Sequence, residues 1–261
     1  MSAKDDAGLA SAAWPDLVQK IRARTPARIL VGRTGASYHT RTQLDLREAH
    51  AAARDAVRNE LNLEEALGAD FVRHWNLFEV STQATAKDEY LLRPDLGRHF
   101  SETARAELLK RCSRQRRLQI TIGDGLSVTA VSVQVPRLLS ALYDAAKSRA
   151  WSVGDIFAIR YCRVGILNEV GELLAPEVAV LLIGERPGLA TAESLSAYMA
   201  YRPVRSHTDA NRNLISNIHA RGVDPPNAAV RILNFAAQMI KIGTSGCQLR
   251  EALPPVTPER H

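Results

Sequence analysis

The sequence has no run of about 18 apolar residues, so it offers no helix that could span a membrane. Its N-terminus, MSAKDDAGLASAAWPDL, is polar and acidic and lacks the apolar core of a signal peptide, which points to an intracellular protein. Cysteine is scarce: Cys112, Cys162 and Cys247 form no CxxC pair, and no histidines cluster at metal-ligand spacing. Scattered thiols of this kind predict a reducing compartment, with neither a disulfide framework nor a structural zinc. A dinucleotide fingerprint is missing too. IGDGLS supplies Gly123 and Gly125, but Val128 stands where G-x-G-x-x-G needs its third glycine. A nucleophile elbow would need G-x-S-x-G and an oriented histidine, so Ser127 does not read as a hydrolase nucleophile. No pair of carboxylates at helical spacing suggests acid–base work. His219, in NRNLISNIHARG (211–222), has no carboxylate or nucleophile placed beside it, and that polar segment reads as a loop with a structural histidine. The expected catalytic residues of this chain are therefore none, and the expected metal ligands none.

What is present is the composition of a globular protein: 261 residues, 46% hydrophobic and 24% charged. Lys plus Arg, 34, exceeds Asp plus Glu, 28, for a formal charge of +6. That excess leaves a nucleic-acid-binding module open as a competing reading. The richest basic stretch, RAELLKRCSRQRRL from Arg105, reads as a solvated helix face. No zinc finger or aromatic RNA-binding motif accompanies it.

Along the chain, the first part reads as helical: a short helix over 15–24, a glycine turn at 31–37, and a helix over 40–61 capped by Thr40 or Thr42 with an apolar stripe including Leu44 and Val57. FEVST (78–82) reads as a strand. From about residue 99 the pattern alternates. A helix over 99–115 precedes the strand LQITIG (118–123). A helix over 136–150 follows, with Pro136 in its first turn, then the strand IFAIRYC (156–162), a helix over 164–175 and the strand EVAVLLIG (177–184). ESLSAYMAYRP (193–203) is a further strand or an irregular segment, and 225–243 a closing helix. This order predicts an α/β fold: a Rossmann-like parallel sheet with flanking helices, preceded by a mainly helical N-terminal region. It divides the chain into 1–98, a helical docking region, and 99–261, the sheet domain.

Parallel sheets bind ligands beyond the carboxyl ends of their strands. Here those ends are GDGLS (123–127), RYCRV (160–164) and GERPGL (184–189). In GDGLS a tight glycine turn with Ser127 capping the next helix is expected. Glu185 follows the third strand directly, where a carboxylate either accepts hydrogen bonds from a ligand or pairs with Arg186 or Arg163. A stand-alone dinucleotide-binding Rossmann protein is the other competing reading.

Seven blocks, in order, carry a resemblance: ARILVGRTGAS, LDLREAHAAARDAV, YLLRPDLGR, ITIGDGLS, LLIGERPGL, ESLSAYMAY and RNLISNIHARG. Together, from about Ala27 to Ile240, they resemble the small subunit of ethanolamine ammonia-lyase. The resemblance implies an adenosylcobalamin-dependent radical deamination of ethanolamine to acetaldehyde and ammonia. It implies a large partner subunit, a TIM barrel carrying the substrate site, in a hetero-oligomer with several copies of each chain. The cofactor would lie between the subunits, and this chain would cover it with a Rossmann-like domain. Neither nucleic acid nor membrane is then an expected partner. Three cobalamin-contacting positions carry over: Val164 in RYCRV, Glu185 in GERPG, and Leu214 in RNLISN, where the family usually has cysteine. None of the seven histidines sits in D-x-H-x-x-G, which implies base-on binding, with the dimethylbenzimidazole kept on cobalt. About 27 residues precede the first matched block, fewer than in relatives with a compartment-targeting extension. The expected location is the cytoplasm, with a bacterial microcompartment as the alternative.

Overall fold

The computed structural model describes residues 15–24, 29–188 and 190–251. The polar N-terminal stretch 1–14, the start of the first matched block at 27–28, and residue 189 of GERPGL lie outside the described residues.

Two apolar strands of near-continuous character set the centre. In β4 (Leu118–Gly123) and β6 (Val178–Gly184) every residue is buried, because helices cover both faces. The period of two divides their side chains. Leu118, Ile120, Ile122, Val178, Val180 and Leu182 join one core cluster, while Ala179, Leu181 and Ile183 join a second on the opposite face. Around them runs a six-stranded sheet in the order β3-β5-β4-β6-β7-β8, with β3 at Phe78–Ser81, β5 at Phe157–Arg160, β7 at Leu195–Tyr201 and β8 at Asn213–Ile218. The first four pair in parallel; β7 and β8 are antiparallel. The expected α/β fold is thus observed, with an antiparallel pair added to the parallel strands.

The chain passes from β4 through α7 (Val128–Ser148) to β5, then through α8 (Leu167–Leu174) to β6 on the other side of β4. Such crossovers place α7 and α8 on opposite faces. The core clusters agree: α7 and α9 (Pro225–Ile242) contribute to the first, and α6 (Glu102–Arg111) and α8 to the second. The connections therefore diverge between β4 and β6, and a switch point of that kind opens a crevice beyond the strand ends.

Four expectations are corrected. The helix expected from Pro136 starts at Val128, where the Ser127 hydroxyl accepts from the Ala130 N–H; Pro136 lies inside it. Burial of Val131, Val135, Leu138, Leu139 and Leu142 along one stripe outweighs the donor that proline lacks. The polar segment at 211–222 is not a loop: it contains β8, whose Asn213, Ile215 and Ile218 are buried while Leu214, Ser216 and Asn217 are exposed. Its edge position and one covered face admit a polar sequence. Helix α2 (Thr40–Arg58) is capped by neither threonine. His39 holds the N-cap position without a side-chain bond, and the expected apolar stripe buries no residue.

The N-terminal region adds the helical residues 15–23 as α1, a two-stranded ribbon of β1 (Arg33–Thr34) and β2 (Ser37–Tyr38), and α3 (Leu63–Leu67) and α4 (Ala69–His74). Leu61, Leu63 and Leu67 enter the first core cluster. The strand β3 precedes residue 99 yet pairs with β5, so the sheet takes its outer strand from the N-terminal stretch. Among the described residues no helix is long and apolar enough to cross a membrane.

Candidate functional site

The switch point is built on glycine. Gly125 turns the chain out of β4 at φ 54°, and a Cβ there would meet the Gly184 carbonyl oxygen at 2.4 Å. A Cβ on Gly184 would in turn lie 2.0 Å from the Ser127 carbonyl oxygen. The β4–α7 turn and the end of β6 thus approach backbone to backbone, which only glycine permits at both places.

Beneath the turn, Asp124 is fully buried. Its Oδ1 accepts from the Cys162 N–H at 2.9 Å, and its Oδ2 lies 3.4 Å from Lys87 Nζ, itself buried. Lys87 Nζ also donates to the Gly125 carbonyl at 3.2 Å. Burial pushes the Asp124 carboxyl up, and Lys87 opposes that shift. The pair ties α5 (Lys87–Leu92) to the ends of β4 and β5. Tyr90 of α5 donates its hydroxyl to the Cys162 carbonyl at 2.9 Å, and the Arg163 guanidinium stacks 4.1 Å over its ring. The Cys162 thiol is pushed well up by burial, then by Asp124, so it remains a protonated core group.

Above this floor lies a cavity of about 310 Å³. Val164, at the start of a short 3-10 turn after β5, Glu185 after β6, and Leu214 on β8 all line it. The three residues carried over from the family resemblance, far apart in sequence, are therefore brought together at the switch point. Leu126 and Ile183 add apolar wall, and Tyr198 of β7 adds a hydroxyl. Burial, and then the charges of Glu185 and Asp209, raise the Tyr198 pKa, which keeps it a donor. Tyr198 pairs with Leu214 across β7 and β8, and Leu214 is 43% exposed.

For Glu185 the expected pairing with an arginine is corrected. It forms no ion pair with Arg163 or Arg186. Its Oε1 accepts from the Ser196 hydroxyl at 2.7 Å and the Asn217 N–H at 2.8 Å, and its Oε2 from the Ser194 hydroxyl at 2.8 Å. The carboxylate links β6 to β7 and β8. It keeps acceptor capacity on Oε2, since each carboxylate oxygen offers about two lone-pair sites. His219 is structural in geometry: its Nδ1 accepts from the Arg221 N–H at 3.2 Å, leaving Nε2 to donate to Asn217 Oδ1 at 2.7 Å.

Sequence reasoning missed Lys87, Tyr90 and Tyr198. The alternation in LSAYMAY, with Leu195, Ala197 and Met199 in the core, was a signal that puts Ser196 and Tyr198 together on the other face. Nothing in the local pattern around Lys87 signals a buried cation.

The chain is thus an α/β protein with a crevice at a sheet switch point, lined by an apolar wall and a few fixed polar groups, the place where open α/β sheets take ligands. Comparison with known proteins gives the family. The model of the ethanolamine ammonia-lyase light chain matches residues 15–250. The chain is 40% identical over 231 residues to the ethanolamine ammonia-lyase small subunit of Clostridium perfringens, covering 88% of this chain and 76% of that one. It is 39% identical over 233 residues to the small subunit of Clostridium acetobutylicum, covering 89% and 94%, and 37% identical over 231 residues to that of Listeria monocytogenes, covering 88% and 77%. This chain belongs to the ethanolamine ammonia-lyase small-subunit family.

Proposed function

We propose that this chain forms one wall of an adenosylcobalamin site completed by a large partner subunit, in an enzyme that deaminates ethanolamine to acetaldehyde and ammonia. The observation that carries the reading is the convergence of Val164, Glu185 and Leu214 on one cavity at the switch point. The residues present fit the group. A corrin has an apolar macrocycle fringed with amides, and the cavity offers an apolar wall beside the Glu185 carboxylate as acceptor and the Tyr198 phenol and the Arg163 and Arg186 side chains as donors. At about 310 Å³ it takes only an edge of so large a molecule. That suits a cofactor shared by two chains. When bound, the cofactor supplies the radical chemistry. The contribution of this chain is orientation, exclusion of water and hydrogen bonding.

In this reading the substrate-activating groups belong to the large subunit, a TIM barrel, and this chain supplies no catalytic residue and no metal ligand. The cofactor is held base-on, and several copies of each subunit assemble. Residues before Leu61 act as the docking arm. The assembly works in the cytoplasm, free or inside a bacterial microcompartment.

Leu214→Asp tests the reading. The side chain is exposed on an edge strand, so the fold should persist. A carboxylate covered by a corrin without a partner costs several kcal/mol, and each 1.4 kcal/mol is about tenfold. Absorbance titration of the reconstituted complex should show adenosylcobalamin affinity lowered at least tenfold. Unchanged affinity would remove Leu214, and with it this wall, from the site.

A further inference from the structure

A second cavity, of about 290 Å³, adjoins the first across the Val164–Gly165 turn. Val164 lines one and Gly165 the other; on β8 and the turn before it, Leu214 lines one and Arg212 the other. The chemistry of the second differs. Arg98, Arg205 and Arg212 surround it, with Asn168 and His207.

Its two carboxylates are already committed. Glu169 accepts from His99 Nδ1 at 3.0 Å, the Phe100 N–H at 2.8 Å and Arg105 Nη1 at 3.2 Å. Asp209 pairs with Arg212. Arg98 and Arg205 make no ion pair and no side-chain hydrogen bond among the described residues. Arg205 also borders a cavity that carries Glu172, without bridging to it. Three guanidiniums, those of Arg98, Arg205 and Arg212, thus line the cavity against two carboxylates.

Arg212 supplies the second observation. Its side chain is 5% exposed, its Nη2 donates to Asn168 Oδ1 at 2.9 Å, and its Nε is buried with no partner. A buried guanidinium N–H without an acceptor is costly; the guanidinium that carries it lines the cavity, where charge-assisted hydrogen bonds to an anion would offset that cost. The His207 Nδ1 is likewise buried and unpartnered. Gly165 completes the arrangement: a Cβ there would fall 2.9 Å from Arg98 Cγ, so glycine lets the stem of Arg98 lie on the turn between the cavities.

We propose that this second cavity is a phosphate-binding subsite that takes the phosphodiester of the ligand seated in the first. The identity of that ligand rests on the cobalamin reading above. Cobalamin carries a single phosphodiester, in its nucleotide loop, among otherwise neutral amides. A planar guanidinium fork matches a phosphate bidentately. Free inorganic phosphate offers the same chemistry from another source.

The test uses Arg98→Gln/Arg205→Gln, which removes two rim charges and keeps most of each stem; Arg205→Gln alone, on an exposed side chain, guards against misfolding. In the full chain, inorganic phosphate should raise the melting temperature above that in chloride of equal ionic strength. The double variant should melt as the wild type does in chloride and lose the phosphate response. If phosphate gives the wild type no response, the anion cavity is refuted. In the reconstituted complex, the double variant should bind adenosylcobalamin at least tenfold more weakly and adenosylcobinamide, which lacks the nucleotide loop, as well as the wild type does. Equal losses for the two corrinoids, or no loss for either, would overturn the assignment of the phosphodiester. A wild-type complex that binds neither corrinoid ends the cobalamin reading, while the phosphate arm still decides the cavity.

Discussion

Glu185 ties three strands together and, in the proposed reading, also meets the ligand; the two roles can be separated. Its Oε1 is claimed by the Ser196 hydroxyl and the Asn217 N–H. The backbone donor cannot rotate away, so in Glu185→Gln the amide oxygen must take that place. The amide nitrogen then sits where Oε2 was, and the Ser194 hydroxyl can turn to accept from it. The fold should survive, with a melting temperature close to wild type. A ligand donor facing Oε2 would instead meet another donor. The lost charge-assisted hydrogen bond is worth about 1.5–3 kcal/mol, or about 10- to 150-fold in cofactor affinity. Unchanged affinity in the Gln variant would leave Glu185 as a strand tie alone. His207 gives a second test at this scale. Burial, and then the Arg212 guanidinium, hold its pKa below the ordinary 6.5. The unfolded chain therefore binds the proton more readily than the folded one. The stability that follows is complete above the unfolded pKa and is lost as pH falls through it towards the folded value. Melting temperatures from about pH 7.5 to pH 5 should fall less steeply in His207→Gln than in wild type; parallel profiles would exclude the effect.

Elements whose pattern follows from burial on both faces were legible in the sequence, and elements held by context were not. The runs LQITIG and EVAVLLIG could only be central strands, since β-branched apolar residues without alternation need two covered faces. The strand ends then pointed to the cavity, and the family resemblance reached the same place. The start of α7 was hidden because Pro136 imitates a first-turn proline, while packing of the preceding turns decides otherwise. The strand β8 was hidden because an edge strand with one open face reads as polar. Lys87 was hidden because its partner Asp124 lies in a distant segment, and nothing local marks a buried cation. Ala175 marks another tertiary override. It ends α8 in the left-handed region at φ 50°, ψ 47°, with its N–H on the Gly171 carbonyl. That conformation costs an L-residue roughly 1–2 kcal/mol. Glycine removes the cost but loses about 0.5–1 kcal/mol to unfolded-state freedom. Ala175→Gly should therefore stabilise by about 0.5–1 kcal/mol, read as a higher denaturant midpoint at constant slope. An unchanged or lower midpoint would mean that the surrounding turn, not the helix end, sets the energy.

At the scale of the whole molecule, the described residues up to Glu60 bury nothing: the first buried side chain is Leu61. Yet this stretch holds a helix of 19 residues, α2, and exposes Leu17, Ile29, Leu30, Tyr38 and Leu44. A helix that long, whose apolar stripe is no more than half-buried against α7, is not held by a core of its own; most helical stability in proteins comes from tertiary packing of one face. The sheet face beside the cavity is open as well, with Leu214 exposed on it. Both features agree with a chain that completes itself against a partner. Removing residues 1–60 takes away no buried side chain, only the half-buried contact of α2 with α7 and exposed ion pairs, chiefly Arg58–Asp88 and Glu60–Arg160. Pairs of that kind are worth about 1 kcal/mol at most each. The truncated chain should keep its circular dichroism and melt within a few degrees of wild type, but should no longer co-elute with the large subunit. The full chain, purified alone and given adenosylcobalamin, should not deaminate ethanolamine, because in the proposed reading the substrate-activating groups belong to the large subunit and this chain only orients and shields the cofactor. Adding the large subunit should restore turnover to the full chain and not to the truncated one. Turnover by the isolated chain would place catalytic groups here and end the reading. Normal co-elution of the truncated chain would move the docking surface to the open sheet face and leave the N-terminal helices without a role in assembly.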